Sequence, residues 1–496
     1  MTRTAPKRTF AAVDLGAQSG RVALGRFDGE RLTMEEVHRF PNVPVALRGT
    51  LHWDILRLYG DVLDGLRAAA RQGTVDSVGV DSWGIDFGLL DRAGRLVQNP
   101  VHYRDSRRSG DIVEGVLRRV GPRELYERTG IQLIPINTIF ELASMAAERD
   151  AALAAARSLL LIPDLFHFWL CGARTTELTN ATTTQCFDVP GGAWAIDLLE
   201  SLAIPTHLLP EVVPPATELG VVSDDTSGIG GTTVVAGATH DTAAAVVGTP
   251  LTANAAFLSV GTWSMVGIES DVPYVTEASY RANLSNEGGV GGTYRVLRDL
   301  TGLWLLDETL RAWRANGREL PLERVLELAR CAPSLRSFVN PDDPLFAPPG
   351  DMSVRIVEYC KRTAQPLPED EGAFVRCILE SLALKHAHVV ETLVSVTGKS
   401  IDSLRLVGGG TKNDLLCAWT AAAAGRPLYA GPAEATLIGN LLMQATALGE
   451  LGSLEDAREV VSRSFSATSY EPGTTPAWQE ARDRFAGLCA SPAAVV

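Results

Sequence analysis

The chain has 496 residues, with 59 acidic against 45 basic side chains and a net charge of −14, so a surface built mainly to track a nucleic-acid backbone is excluded. With 46% hydrophobic and 21% charged residues it can bury enough apolar surface to offset ordering entropy, which excludes wholesale disorder. The length points to two or three domains. Met1 to Arg8 is basic and lacks the apolar stretch of a signal peptide, and no later run reaches the roughly 18 uncharged apolar residues of a membrane span, which points to the cytoplasm. The acidic balance leaves room for a local basic patch such as Arg104, Arg107 and Arg108. The seven cysteines are widely spread and never form C-x-x-C, so neither a zinc site nor a disulfide scaffold is indicated, and Cys360 with Cys377 is the one candidate pair for a bridge.

Short β-rich runs alternate with longer Ala/Leu-rich stretches of helical period, the pattern of an α/β fold. Phe10 to Leu15 reads as a strand, Gly16-Ala17-Gln18-Ser19-Gly20-Arg21 as a tight turn, and Val22 to Phe27 as the returning strand of a hairpin. Ile55–Ala70 reads as a helix, Val75–Val80 and Ile85–Leu90 as strands, and 137–156 as one helix. The hairpin layout returns near mid-chain, where 256–260 leads through Gly261-Thr262-Trp263-Ser264 into 265–268. Two hairpin-led halves facing a cleft are expected, divided around residues 245 to 255. Beyond them, 374–396 reads as a helix and 404–407 as a strand. Pro-rich stretches at 205–215, 340–350 and 471–476 read as loops.

Small residues after a strand let backbone N–H groups approach an anion, so the turn 16–21 suits a phosphate with Arg21 as charge partner and Asp14 beside a metal ion; an ordinary hairpin turn is the other reading. Gly408-Gly409-Gly410 between a strand and a helical stretch suits a nucleotide phosphate, or is simply a sharp connection. His240-Asp241-Thr242 follows the apolar strand 234–236 and precedes an Ala run. There Asp241 either accepts a proton from a substrate hydroxyl or caps the helix. Trp83, His102 and their polar neighbours suit a sugar, or pack in the core. Gly398-Lys399-Ser400 lacks the leading Gly of a phosphate loop and fits a helix end, and Asp86-Phe87-Gly88 has no protein-kinase motifs around it.

Taken together these segments resemble the FGGY carbohydrate kinase family, within the actin-like ATPase superfamily. The resemblance spans nearly the whole chain. It rests on 13–16 with 19–21, His38-Arg39-Phe40-Pro41-Asn42, His52-Trp53-Asp54, Asp81-Ser82-Trp83-Gly84 with 85–88, and His102-Tyr103-Arg104-Asp105-Ser106-Arg107. It continues through 162–166, 179–185, His240-Asp241-Thr242, 261–264, Asn286-Glu287-Gly288-Gly289, 302–306 and 408–410. Jointly they match the branch that phosphorylates L-rhamnulose. The resemblance implies an α/β fold of two ribonuclease-H-like domains around a central cleft, with 1–248 carrying the sugar site and catalytic base and 249–496 the nucleotide. By matching position, Asp241 is the proton acceptor, and Gly84, His240, Asp241 and Thr242 contact the sugar. Ala17, Gln18, Ser19, Gly20, Arg21, Thr262 and Gly409 contact ATP, and Asp14 sits near Mg²⁺. Asp299 and Asp307 stand where the family pattern has an amide residue and Gln, and they carry no assignment. The expected reaction converts L-rhamnulose and MgATP into L-rhamnulose 1-phosphate and ADP, in a monomer or small homo-oligomer. The rival readings are a kinase for another ketose, such as L-fuculose or D-xylulose, and an ATP-binding module without sugar chemistry. A two-carboxylate glycoside hydrolase is a third.

Overall fold

Two mixed β-sheets of one topology frame the molecule in the computed structural model, which describes residues 7–105, 110–223, 225–473 and 475–490. In the first sheet the strands run in the order Thr217–Val221, Thr233–Ala236, Ser77–Ser82, Arg8–Leu15, Ser19–Phe27 and Leu32–Pro41. In the second the order is Thr468–Tyr470, Leu428–Ala430, Ser403–Val407, Ala255–Val260, Trp263–Ser270 and Tyr294–Thr301, with Ser285–Gly288 added at the edge. In each, an antiparallel three-strand meander is extended by two parallel strands and one antiparallel strand. The mid-chain echo of the first hairpin is thus an echo of the whole half. The leading strand of each meander is a near-continuous apolar run because both of its faces are covered.

Between the sheets lie two helices, Asp241–Val247 and Ala435–Ala447, each following the second parallel strand of its own half. They cross in backbone contact. A Cβ placed on Gly439 would stand 1.8 Å from the Ala244 carbonyl oxygen, and one on Gly248 would stand 2.0 Å from that of Ala435. Leu437, Ile438 and Leu441 pack with Phe10, Ala12 and Phe27 of the first sheet, while Val246 packs with Phe257 and Leu297 of the second. The chain after residue 434 therefore completes the core of the first half.

The helix Ile55–Ala70 forms as expected, and the long helix Glu371–Thr397 ends at Gly398, whose φ of 69° is the left-handed C-terminal cap. Gly398-Lys399-Ser400 is accordingly a helix end. The single helix expected over 137–156 is instead Thr138–Ala147 and Ala151–Ala155. The chain turns at Arg149, with φ 53°, and the Asp150 carboxylate caps the second piece. Ile85 also adopts a positive φ of 69°, so the strand expected from residue 85 begins at Phe87. Within the Pro-rich 205–215, the strand Glu211–Val213 pairs with Thr175–Glu177. All seven cysteines are free, so Cys360 and Cys377 form no bridge. Ser106, Arg107 and Arg108 lie outside the described residues.

Candidate active site

The ends of the central strands of both sheets, together with the two hairpin turns, wall a cavity of about 300 Å³ between the halves. Asp14, Ala17, Arg21, Gly84, His240, Asp241, Thr242 and Thr262 line it. The first turn is shorter than the sequence suggests, spanning only Gly16 to Gln18, because Ser19 to Arg21 already belong to the returning strand. This register sets Arg21 directly opposite Asp14. The Gln18 amide donates to the Thr262 hydroxyl at 3.2 Å and joins the two hairpin turns across the cleft. Ser19 turns its carbonyl to Gly16 N, and Gly20 lies flat against the Phe40 ring, where any Cβ would clash. Gly409 opens a turn that packs on the end of strand Ala255–Val260, where Gly408 and Gly410 leave room for Val260. Gln18, Ser19, Gly20 and Gly409 do not line the cavity itself.

At the polar end Arg21 donates to both Asp14 and Glu434. Burial raises the Asp14 pKa, opposed by Arg21 and reinforced by Asp241. Asp81 lies beside Asp14 in parallel register and is held well above the ordinary carboxylate range by burial and by Asp14. Its Oδ2 accepts from Asn440 at 2.6 Å, whereas its Oδ1 is buried without a hydrogen bond. That idle oxygen beside a second carboxylate suits a cation. Among the described residues no three His, Cys, Asp or Glu side chains form a ready-made metal cage. The fit is therefore to a hard ion held by one or two carboxylates together with phosphate oxygens.

An apolar and aromatic wall is formed by Trp83, Tyr103, Ile131, Ile134, Trp263 and Met265. Asp86 sets its shape, for the Trp53 and Trp83 indoles donate to Asp86 Oδ2 at 2.6 and 3.0 Å, and the Tyr103 N–H donates at 3.2 Å. Gly84 has no space for a side chain, since a Cβ would meet Thr183 Oγ1 at 2.7 Å. Ile85 is kept in its unfavourable backbone conformation by Thr183, which accepts from its N–H, and by Thr138, which donates to its carbonyl. His102 stacks on Trp53 behind this wall. The Arg104 guanidinium lies over the rings of Trp304, Trp263 and Tyr103, reaching from the first half to the second.

Asp241 occupies the first turn of its helix, and His240 is the capping residue. Its carboxylate accepts from Thr242 Oγ1 at 3.1 Å and lies 3.4 Å from His240 Nε2, so it faces the cavity instead of closing the helix end. Glu177 holds the approach to this turn by accepting from the N–H and hydroxyl of Thr239. Asp299 also lines the cavity, where burial and Glu287 push its pKa up to about 8. Sequence reasoning gave no role to Glu434, Asn440, Asp81 or Glu287. For Asp81 a signal existed, an acid at a strand's end like Asp14; for Glu434 and Asn440, more than 350 residues from their partners, there was none.

Two sheets of one topology closing on a polar cleft define the two-domain actin-like ATPase fold, and two solved structures share it. A gluconate kinase from Lactobacillus acidophilus superposes with TM-score 0.80 at 16% identity, covering 97% of each chain. The ligand-bound xylulose kinase from the same organism gives TM-score 0.80 at 17% identity over 97% of each. The models of the FGGY family of carbohydrate kinases match residues 9–248 with the N-terminal domain and 256–448 with the C-terminal domain. A rhamnulokinase from Bacteroides thetaiotaomicron is 40% identical over 484 residues, 97% of this chain and 99% of the relative. The chain belongs to the FGGY family of carbohydrate kinases and is a sugar kinase.

Proposed function

We propose that the chain transfers the γ-phosphoryl group of ATP to the 1-hydroxyl of L-rhamnulose, giving L-rhamnulose 1-phosphate and ADP in L-rhamnose breakdown. The observation that carries the chemistry is Asp241, a carboxylate aimed into a cavity that also holds Asp14 and Arg21. The near full-length relationship to a rhamnulokinase supports the choice of ketose.

In this reading the sugar lies on the aromatic wall, with Gly84, His240 and Thr242 against it and its hydroxyl on Asp241. As the hydroxyl oxygen bonds the γ-phosphorus and the bond to ADP breaks, the O–H proton passes to Asp241. The turn Ala17 to Arg21, Thr262 and Gly409 contact ATP, and their N–H and hydroxyl groups meet the phosphate oxygens. Asp14, with Asp81 beside it, would hold Mg²⁺, which when bound would neutralise charge on the transferring phosphoryl group. Apposition of the halves excludes water, which would otherwise compete with the sugar for the phosphoryl group. The reading divides the chain into 1–248, which carries the sugar and base, and 249–496, which shares the nucleotide with the turn Ala17 to Arg21; family models that end at 248 and resume at 256 support the place of the division. Among the described residues no helix is long and apolar enough to cross a membrane, consistent with cytoplasmic substrates.

The test is ADP release with MgATP and L-rhamnulose, L-fuculose or D-xylulose, comparing the native chain with Asp241→Asn. L-Rhamnulose should be turned over fastest, and the variant should lose about 10²–10⁴-fold in kcat while still binding ATP. Near-native turnover by the variant would move the base elsewhere. A preference for another ketose would overturn the substrate, and no stimulation by any ketose would leave an ATP-binding module.

A further inference from the structure

Beside the cavity, His240 Nδ1, Glu287 Oε2 and Arg295 Nη1 are, like Asp81 Oδ1, buried without a hydrogen bond. The first two face each other. His240 Nδ1 lies 3.4 Å from Glu287 Oε2, and on the other side of the ring Nε2 lies 3.4 Å from Asp241 Oδ1. The imidazole thus has a carboxylate oxygen at each nitrogen, one from its own half and one from the other. An approach of about 0.5 Å would bring both contacts to ordinary hydrogen-bond length.

Glu287 is itself firmly held. It lies in strand Ser285–Gly288 opposite Arg295, whose Nη2 is 3.0 Å from the same Oε2. The Arg295 guanidinium donates to Gly288 O at 3.0 Å and to Thr179 O, in the first half, at 3.3 Å. Burial opposes the charge on Glu287, but Arg295 and His240 outweigh it and hold the carboxyl below its usual range. An ionised carboxylate only accepts, so the nitrogen facing it must carry a hydrogen. Nδ1–H is then committed to Glu287, and Nε2 is the atom left for Asp241. There its N–H donates to Asp241 Oδ1, and the hydroxyl proton arriving on Oδ2 leaves that contact in place. Asp241 keeps a partner in both states.

We propose that Glu287 is a positioning residue for phosphoryl transfer, acting through His240 to orient the Asp241 carboxylate. Because Glu287 comes from the second half, the base is oriented only when the halves are together. This role rests on Asp241 being the proton acceptor.

The test is steady-state kinetics of Glu287→Gln, His240→Asn and the double variant, with proton NMR of the ring N–H. Glu287→Gln should lower kcat by about 10–100-fold and leave the KM for ATP within about twofold. In the His240→Asn background the same change should add nothing. A downfield ring N–H signal, assigned by its loss in His240→Asn, should also be lost in Glu287→Gln at unchanged Tm. Glu287→Asp, which keeps a charge for Arg295 but withdraws it from the ring, should lose the signal with an intermediate kcat, and serves if the Gln variant does not fold. Native kcat in Glu287→Gln, or additive losses in the double variant, would overturn the role. A ring signal unchanged in both Glu287 variants would overturn the contact while leaving Asp241 as base, whereas full turnover by Asp241→Asn would remove the base and this role with it.

Discussion

Replacing Gly439 by Ala tests whether the crossing of the two inner helices holds the site in place. In an isolated helix this change stabilises by about 1 kcal/mol, because Gly gives up more backbone freedom on folding. Here the new Cβ would stand 1.8 Å from the Ala244 carbonyl oxygen, and real Cβ contacts essentially never fall below 3.0 Å, so the helices must part by about 1.2 Å. The obstacle is backbone, which cannot swing aside as a side chain does. Overpacking of this kind costs about 1–3 kcal/mol, and a backbone obstacle belongs at the upper end. After the propensity gain, a net loss of about 2 kcal/mol remains, or a fall in Tm of about 4–8 °C. Ala244 is three residues from Asp241 on the same helix, so a shift of that size should also lower kcat by about 10²-fold. The assay is thermal unfolding and ADP release, with Gly487→Ala as control. Gly487 lies on the exposed face of helix Pro476–Ala490 with nothing within 4 Å of its added Cβ, so there only the propensity gain should appear. A Gly439→Ala protein as stable and as active as the native chain would refute the reasoning.

Two further predictions concern charge. The unfolded chain releases the Asp299 proton near pH 3.8, whereas the folded chain keeps it to about 8, so this residue drains stability as pH rises through that window. Asp299→Asn should therefore raise Tm relative to the native chain at pH 8.5, with the difference shrinking toward pH 5; a difference constant with pH would refute this. Arg21→Met leaves the buried Asp14 carboxylate without its partner and should cost about 3 kcal/mol. Adding Asp14→Asn should recover part of the lost Tm, and a double variant no more stable than Arg21→Met would count against the pairing.

Much of the frame was legible from local pattern. The hairpin from Phe10 to Phe27, the helix Ile55–Ala70, the Gly398 helix end and the two-half layout each follow from periodicity or turn chemistry within a few tens of residues. The onset of strand at Phe87 was not, because the positive φ of Ile85 is held by tertiary contacts with Thr138 and Thr183; the break at Arg149 is closed by local backbone bonds and the Asp150 cap, which the unbroken helical period of 137–156 hid. The site divides in the same way. Asp14, Arg21, Asp241 and the glycine turns stand at strand ends where their chemistry can be read, but nothing local joins Arg21 to Glu434, Asp81 to Asn440 or His240 to Glu287.

The sequence alone determined which residue types end each strand, and hence that carboxylates and an arginine would stand at one edge of the first half and glycine-rich turns at one edge of each. Only the tertiary structure decided which of them meet. The two halves bring their strand ends together through helices that cross at Gly439 and Gly248, and the resulting contacts join residues too far apart in the chain for any local pattern to record.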